Sequence, residues 1–150
     1  MGFFKGQEIR SIDEKGRVAI PQKMRKEIDP EAENTFTITH GLEQCIYAYP
    51  KNEWQIYEEI YKKKNQFNEK NRFFLRTLLE WSEDVTLDGQ GRIPIPKELL
   101  EIAKIDGKAK VLGNVDHIEF WNPDIYQSYK ESHGETYEEV AETVMPGFER

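Results

Sequence analysis

Ile12-Asp13-Glu14-Lys15-Gly16-Arg17-Val18-Ala19-Ile20-Pro21 returns 75 positions later as Leu87-Asp88-Gly89-Gln90-Gly91-Arg92-Ile93-Pro94-Ile95-Pro96. Each copy has an apolar residue, then Asp-x-x-Gly-Arg, then a short apolar run closed by proline. Asp and Gly form turns, the carboxylate bonding to its own backbone and the glycine supplying positive φ. β-branched residues after the turn favour extended chain, and a proline beyond them suits the first turn of a helix. A strand, turn, strand and helix start are therefore written twice. A second match keeps the same order: Cys45-Ile46-Tyr47-Ala48-Tyr49-Pro50 and Ile118-Glu119-Phe120-Trp121-Asn122-Pro123 lie 73 positions apart. Two matches in register indicate an internal duplication.

The chain then divides into two related halves, 1–75 and 76–150, joined through a helical region around 65–82. Gln7–Ile12 and Glu83–Leu87 are predicted first strands, and Val18–Ile20 and Ile93–Ile95 second strands. Helices are predicted over Gln22–Ile28 and Lys97–Ala103. Thr35-Phe36-Thr37-Ile38-Thr39 alternates as a half-buried strand should, with Lys110–Leu112 its counterpart. Cys45–Tyr49 and His117–Trp121 are the fourth strands, and helices follow. One carries Trp54, Tyr57, Ile60 and Tyr61 on one face, and another Phe74, Leu75, Leu78 and Leu79. The fold class is α+β, with β-β-α-β-β-α in each half. A half of this size buries only a thin core, so the two are expected to complete one another's sheets, with the Tyr and Trp stripes as the shared core.

Composition bounds the function. Of 150 residues 33% are charged, 37% hydrophobic and 12% aromatic, and the net charge is −7. The aromatics and the patterning argue against a disordered chain. No stretch approaches the roughly 20 apolar residues of a membrane helix. The N-terminus has neither an apolar secretory core nor a myristoylation signal. The lone Cys45 excludes an intrachain disulfide and suits a reducing cytosol. Taken whole, −7 disfavours indiscriminate nucleic-acid binding. The charge is uneven, however: residues 1–26 carry +4 and 51–76 carry +3, against −5 over 27–50 and −4 over 130–150. Screening over about 8 Å lets a ligand feel the local charge.

The Asp-x-x-Gly-Arg turn admits two roles at once. Asp13 and Asp88 cap their turns, Gly16 and Gly91 allow the reversal, and Arg17 is placed to pair with Asp13. The same turn presents Lys15 and Arg17, and arginine's planar fork suits phosphate or guanine. The first copy is followed by Lys23, Arg25 and Lys26, the second by Lys97, Glu98 and Glu101. The first half is therefore expected to dominate nucleic-acid contact. Catalytic signatures are missing: Gly89-Gln90-Gly91 is no dinucleotide fingerprint, and there is no Walker or Gly-x-Ser-x-Gly motif. His40, His117 and His133 lack ligand spacing to Cys45, so no metal and no cofactor are expected. Glu138, Glu139 and Glu142 read as the solvated face of an acidic helical tail.

These residues resemble the MraZ family of duplicated SpoVT/AbrB-type domains. The resemblance rests on Phe4-Lys5-Gly6, the turns at 13–17 and 88–92, the 45–50 strand with Glu53-Trp54, Asn71-Arg72-Phe73, and Glu119-Phe120-Trp121. It spans about residues 3–130. It implies an intrachain pseudo-dimer of two AbrB-like swapped-hairpin half-domains. It also implies a cytoplasmic, nucleoid-associated, sequence-specific transcriptional regulator that binds direct repeats of double-stranded DNA upstream of the division and cell-wall gene cluster and assembles into a ring-shaped homo-oligomer. Carried onto this chain, the DNA contacts are Arg17, Lys15 and Lys5, with Arg92 from the second motif, where Gln90 replaces the basic residue. Charge and proximity add Lys23 and Arg25. Two other classes stay open from the residues: an AbrB-type antitoxin that binds a toxin, and an oligomeric scaffold without nucleic acid.

Overall fold

A computed structural model describes residues 2–145. The first half runs β1 (Gln7–Ser11), β2 (Arg17–Ala19), α1 (Gln22–Arg25), a 3-10 turn at Pro30–Ala32, β3 (Thr35–His40), β4 (Ile46–Pro50), α2 (Lys51–Lys62) and α3 (Glu69–Leu79). The second runs β5 (Glu83–Thr86), β6 (Arg92–Pro94), α4 (Lys97–Ile102), β7 (Lys108–Asn114), β8 (His117–Trp121), α5 (Pro123–Glu131) and α6 (Tyr137–Val144). The expected α+β order is present in both halves. Pro21, Pro50 and Pro96 each take the N-cap position of a helix, with extended ψ. They therefore end the strand geometry and release the helix one residue later than a first-turn placement would.

The halves exchange their first strands. The main sheet is antiparallel with order β1-β7-β8-β4-β3-β5, so β1 pairs with the second half and β5 with the first. The order is palindromic under exchange of halves. A separate ribbon pairs β2 with β6, and its register sets Val18 opposite Ile93, its own counterpart 75 positions on. The pseudo-twofold axis therefore passes through that pair. Ile20 N–H donates to Gly91 O and Ile95 N–H donates to Gly16 O, each at 2.9 Å, as the same symmetry requires.

One apolar core joins both halves. Val18 and Ile20 from the first half of the ribbon meet Ile93 and Ile95 from the second, and all pack with Phe36, Ile38, Val111, Ile118 and Phe120 of the large sheet. Burying such side chains contributes about 1.5–3 kcal/mol each. Neither half could form this core alone, which accounts for the strand exchange.

The opposite face of the sheet carries the aromatics. Along β8, Ile118 and Phe120 point into the core, which leaves His117, Glu119 and Trp121 to the other face by strand alternation. There Tyr49, Trp54, Tyr57 and Tyr61 stack in tilted pairs, and Trp121 packs with Tyr126 and Tyr129. The Tyr and Trp stripes thus form a second layer under the helices and are not the core shared by the halves. The same layer corrects two further expectations. Thr35–Thr39 is not half-buried: Thr37 and Thr39 are buried beneath α2 and α3, and Thr37 Oγ1 donates to Asp84 Oδ1 at 2.7 Å. Ile60 leaves the packed stripe of α2 and is exposed, while Glu53 is buried. The expected tail element is present as α6, but residues 146–150 of the acidic tail lie outside the described residues.

Gly16 has φ +78, and a Cβ there would come 2.8 Å from Ile95 O, across the ribbon. Gly16→Ala is therefore expected to cost about 2 kcal/mol or more and to lower Tm by about 4–8 °C. Gly89→Ala, in open space, should leave Tm nearly unchanged. Thermal denaturation of the two variants checks this.

Candidate nucleic-acid interface

Each turn is built by one carboxylate. Asp13 Oδ1 accepts the backbone N–H groups of Lys15 and Arg17, both at 2.9 Å, and Oδ2 accepts Arg17 Nε–H at 2.6 Å. Asp88 repeats this with Gln90 N–H at 2.8 Å, Arg92 N–H at 2.9 Å and Arg92 Nε–H at 2.9 Å. The backbone N–H of the arginine is the chief reason that both carboxyls titrate below the usual carboxylate range. Both therefore stay ionised at neutral pH and hold their arginines. The clamp occupies the Nε edge of Arg17, and among the described residues its terminal nitrogens carry no hydrogen bond. A fork fixed at one edge and open at the other suits a phosphate or a guanine edge.

The ribbon brings the two clamps together. Arg92 Nη1 lies 3.5 Å from Asp13 Oδ2, an ion pair across the halves. Arg10, Asp13, Arg17 and Arg92 line one shallow groove between β1 and β2. Sequence reasoning missed Arg10 as a site residue. It is held by Glu8, with Nη2 2.7 Å from Oε1. The usable signal is strand alternation, which puts Arg10 on the same face as Glu8.

The remaining expected cations are placed differently. Lys15 is exposed at the tip of the first turn, beside a hollow that also holds Glu14, Lys97 and Asp106. Lys5 is exposed on the N-terminal extension, which is tied to the residue just after β7 by paired Phe4–Val115 backbone bonds of 2.8 and 2.9 Å. The Lys23 ammonium lies against Gly6, next to Lys5 in sequence. Arg25 reaches across to the other half, where its guanidinium lies over Gly91. The counterpart of Arg25 is Leu100, whose Cδ1 lies at ordinary contact distance beside Gly16. The second turn, which has Gln90 in place of a lysine, thus gains a cation from the first half. The glycine at 91 is accounted for by its φ of +74.

No cluster of three or more His, Cys, Asp or Glu side chains among the described residues is arranged to hold a metal. Cys45 is buried, its Sγ–H donates to Leu42 O at 3.0 Å, and burial raises its pKa, so it is no nucleophile. Among the described residues no helix is long and apolar enough to cross a membrane.

A family model described as "MraZ protein, putative antitoxin-like" matches residues 3–77 and again 79–145. The chain is 35% identical to the Transcriptional regulator MraZ of Syntrophomonas wolfei subsp. wolfei, over 95% of this chain and 97% of the relative. It is 32% identical to the protein of that name from Carboxydothermus hydrogenoformans, over the same shares. Against that from Clostridium acetobutylicum it is 36% identical over 87% of this chain and 89% of the relative.

Proposed function

Because the chain belongs to the MraZ family, we propose that it is a transcriptional regulator that binds double-stranded DNA through the face formed by the β2–β6 ribbon and its two turns. The observation that carries this reading is the pair of Asp–Arg clamps set side by side across the pseudo-twofold axis. Arg17 would insert its open edge, Arg92 would offer only the nitrogen left free by Asp88 and Asp13, Lys15 and Arg10 would meet phosphates, and Arg25 would supply the second turn. Lys5 and Lys23 would extend the contact along the backbone. Phosphate contacts position such a protein and a few base contacts specify the sequence.

The halves 1–75 and 76–150 act as one reading head in this proposal. A single chain offers few cations and binds weakly. Several copies in a ring, meeting direct repeats upstream of the division and cell-wall gene cluster, gain about 100-fold or more through intramolecular second contacts. The protein would work at the nucleoid in the cytoplasm.

The test is a salt series with DNA from upstream of its own gene. With about four phosphates met per chain, log K should fall against log salt with a slope of about −3 to −4 per bound chain. Tandem repeats should bind far more tightly than one repeat. Retention that ignores salt, or no retention at all, overturns the proposal.

A further inference from the structure

The connection between α2 and α3 carries charge that the ribbon leaves unused. Residues 62–76 hold six cations, Lys62, Lys63, Lys64, Lys70, Arg72 and Arg76, against the single acid Glu69. Among the described residues, Lys62 is the one of these six in an ion pair, with Glu59 at 3.1 Å. All but Arg72 are exposed. The equivalent connection in the second half, residues 132–136, has one glutamate and no lysine or arginine. The cationic patch therefore belongs to the first half and is not demanded by the repeated fold.

Phe67 stands within this patch and is 93% exposed, more than any other large apolar side chain among the described residues. Its turn is firmly built. Asn65 Oδ1 accepts Phe67 N–H at 2.9 Å, and Asn65 O accepts Asn68 N–H at 3.3 Å and Asn71 Nδ2–H at 3.0 Å. Gln66 O accepts Arg72 Nη1–H at 3.0 Å, and Asn68 Oδ1 caps α3 by accepting Asn71 N–H at 3.1 Å. Such side-chain bonds to the local backbone fix a turn, and here they fix it with the phenyl ring outside. Solvation explains the lysines but not a phenylalanine held into water by its own turn.

We infer that this loop is a second contact for double-stranded DNA, in which its lysines meet phosphates and Phe67 wedges between base steps in the minor groove. Lysines give sequence-independent attraction to the backbone, and apolar wedges enter a duplex by partly unstacking a base step. The ring stands out from a tight turn, which suits a wedge, whereas single strands are held in grooves lined by stacking aromatics. α2 and α3 lie on the face of the large sheet opposite the ribbon. The loop and the two clamps therefore stand on different sides of the molecule, and the loop meets a separate stretch of duplex. The contact goes beyond the proposed function and needs neither the arginines of the clamps nor assembly of copies.

The test is fluorescence anisotropy with a labelled duplex of random sequence, in the full chain already carrying Arg17→Ala and Arg92→Ala. That background removes the arginines of the clamps, so the remaining binding reports on the other cations. Lys63→Gln, Lys64→Gln and Lys70→Gln together should reduce the slope of log K against log salt by about 3. Phe67→Ala should leave the slope unchanged and weaken binding about 10-fold. All four side chains are exposed, and circular dichroism verifies the fold. An unchanged slope in the lysine variant overturns the inference, as does undiminished binding by Phe67→Ala or a background protein that no longer binds the duplex. A parallel arm replaces the duplex with phosphatidylglycerol vesicles, and a loss confined to the vesicles assigns the loop to a lipid surface and overturns it too. Failure of the ribbon reading leaves this comparison standing, because it is made between loop variants in one background.

Discussion

Arg17→Ala should weaken binding to tandem upstream DNA by about 30-fold or more while leaving the fold intact. A bidentate arginine contact to a base is worth about 1–3 kcal/mol. Two copies engaged on two repeats each lose it, so the loss doubles to about 2–6 kcal/mol before avidity is counted. The cost to stability is small. The Arg17–Asp13 pair is about one-third exposed, and such pairs contribute about 0–1 kcal/mol. Arg92 remains 3.5 Å from the same carboxylate. Arg17→Lys should recover the phosphate attraction but not the fork, and so sit between the two. Fluorescence anisotropy with labelled DNA reads the effect, and circular dichroism reads the fold. Undiminished binding by a folded Arg17→Ala protein would remove Arg17 from the interface.

The second large effect concerns stability. His117 is buried and both ring nitrogens meet carboxylates: Nδ1 is 2.8 Å from Asp116 Oδ1, and Nε2 is 2.9 Å from Glu119 Oε2. Two acceptors require two N–H donors, which makes the ring an imidazolium. Glu119 also accepts Trp121 Nε1–H at 2.8 Å and Asn114 Nδ2–H at 2.9 Å, and Tyr57 O–H donates to Asp116 at 2.7 Å. Burial by itself favours neutral His117, but the bonds to Glu119 and Asp116 outweigh it and raise its pKa above 6.5. Burial likewise favours neutral Glu119, but the bonds from His117, Trp121 and Asn114 hold it below 4.5.

Glu119→Ala removes the shared acceptor, leaves His117 with Asp116 alone and orphans the Trp121 indole N–H and an Asn114 amide N–H. The expected loss is about 3–5 kcal/mol, a large part of the 5–15 kcal/mol typical of a domain. Urea denaturation should show it as a lower midpoint. The network also dictates pH dependence. The His117 contribution is fully present below 6.5 and is lost as pH rises through its raised folded value. The Glu119 contribution is fully present above 4.5 and is lost as pH falls through its depressed folded value. The network therefore stabilises most between those two ordinary values, and Glu119→Ala should lower that maximum and weaken the falls on either side of it. An unchanged midpoint would show that the network contributes nothing net.

Much of the fold was legible because the repeat is local chemistry. Asp-x-x-Gly-Arg encodes its own turn, and the carboxylate, glycine and arginine occupy the same places in both copies. The strand exchange was legible only in outline, since a thin core implies mutual completion without stating which strand is lent. The second layer was not legible. Thr37 and Thr39 alternate with apolar residues as a solvent face would, and only the helices laid over them make that face interior. Among the candidate site residues, Arg17, Arg92 and Lys15 follow from the turn itself. Arg25 lies over Gly91 in the other half, a contact set by the ribbon register and invisible to residue spacing. The buried His117 lacks a spacing signal because its two partners arrive differently: Glu119 shares its face by strand alternation, whereas Asp116 reaches the ring from the turn before β8.

The join between halves has a last consequence. In two identical chains the axis through Val18 and Ile93 would be exact, and the face around it would look the same from either end, as a palindrome does. Here the equivalents differ: Lys15 answers to Gln90, and Arg25 over Gly91 answers to Leu100 beside Gly16. Duplication within one chain has freed each side to drift, so the face now has a front and a back. A surface with an arrow reads a sequence with an arrow. Copies held in one orientation would then select sites that all run the same way along the duplex.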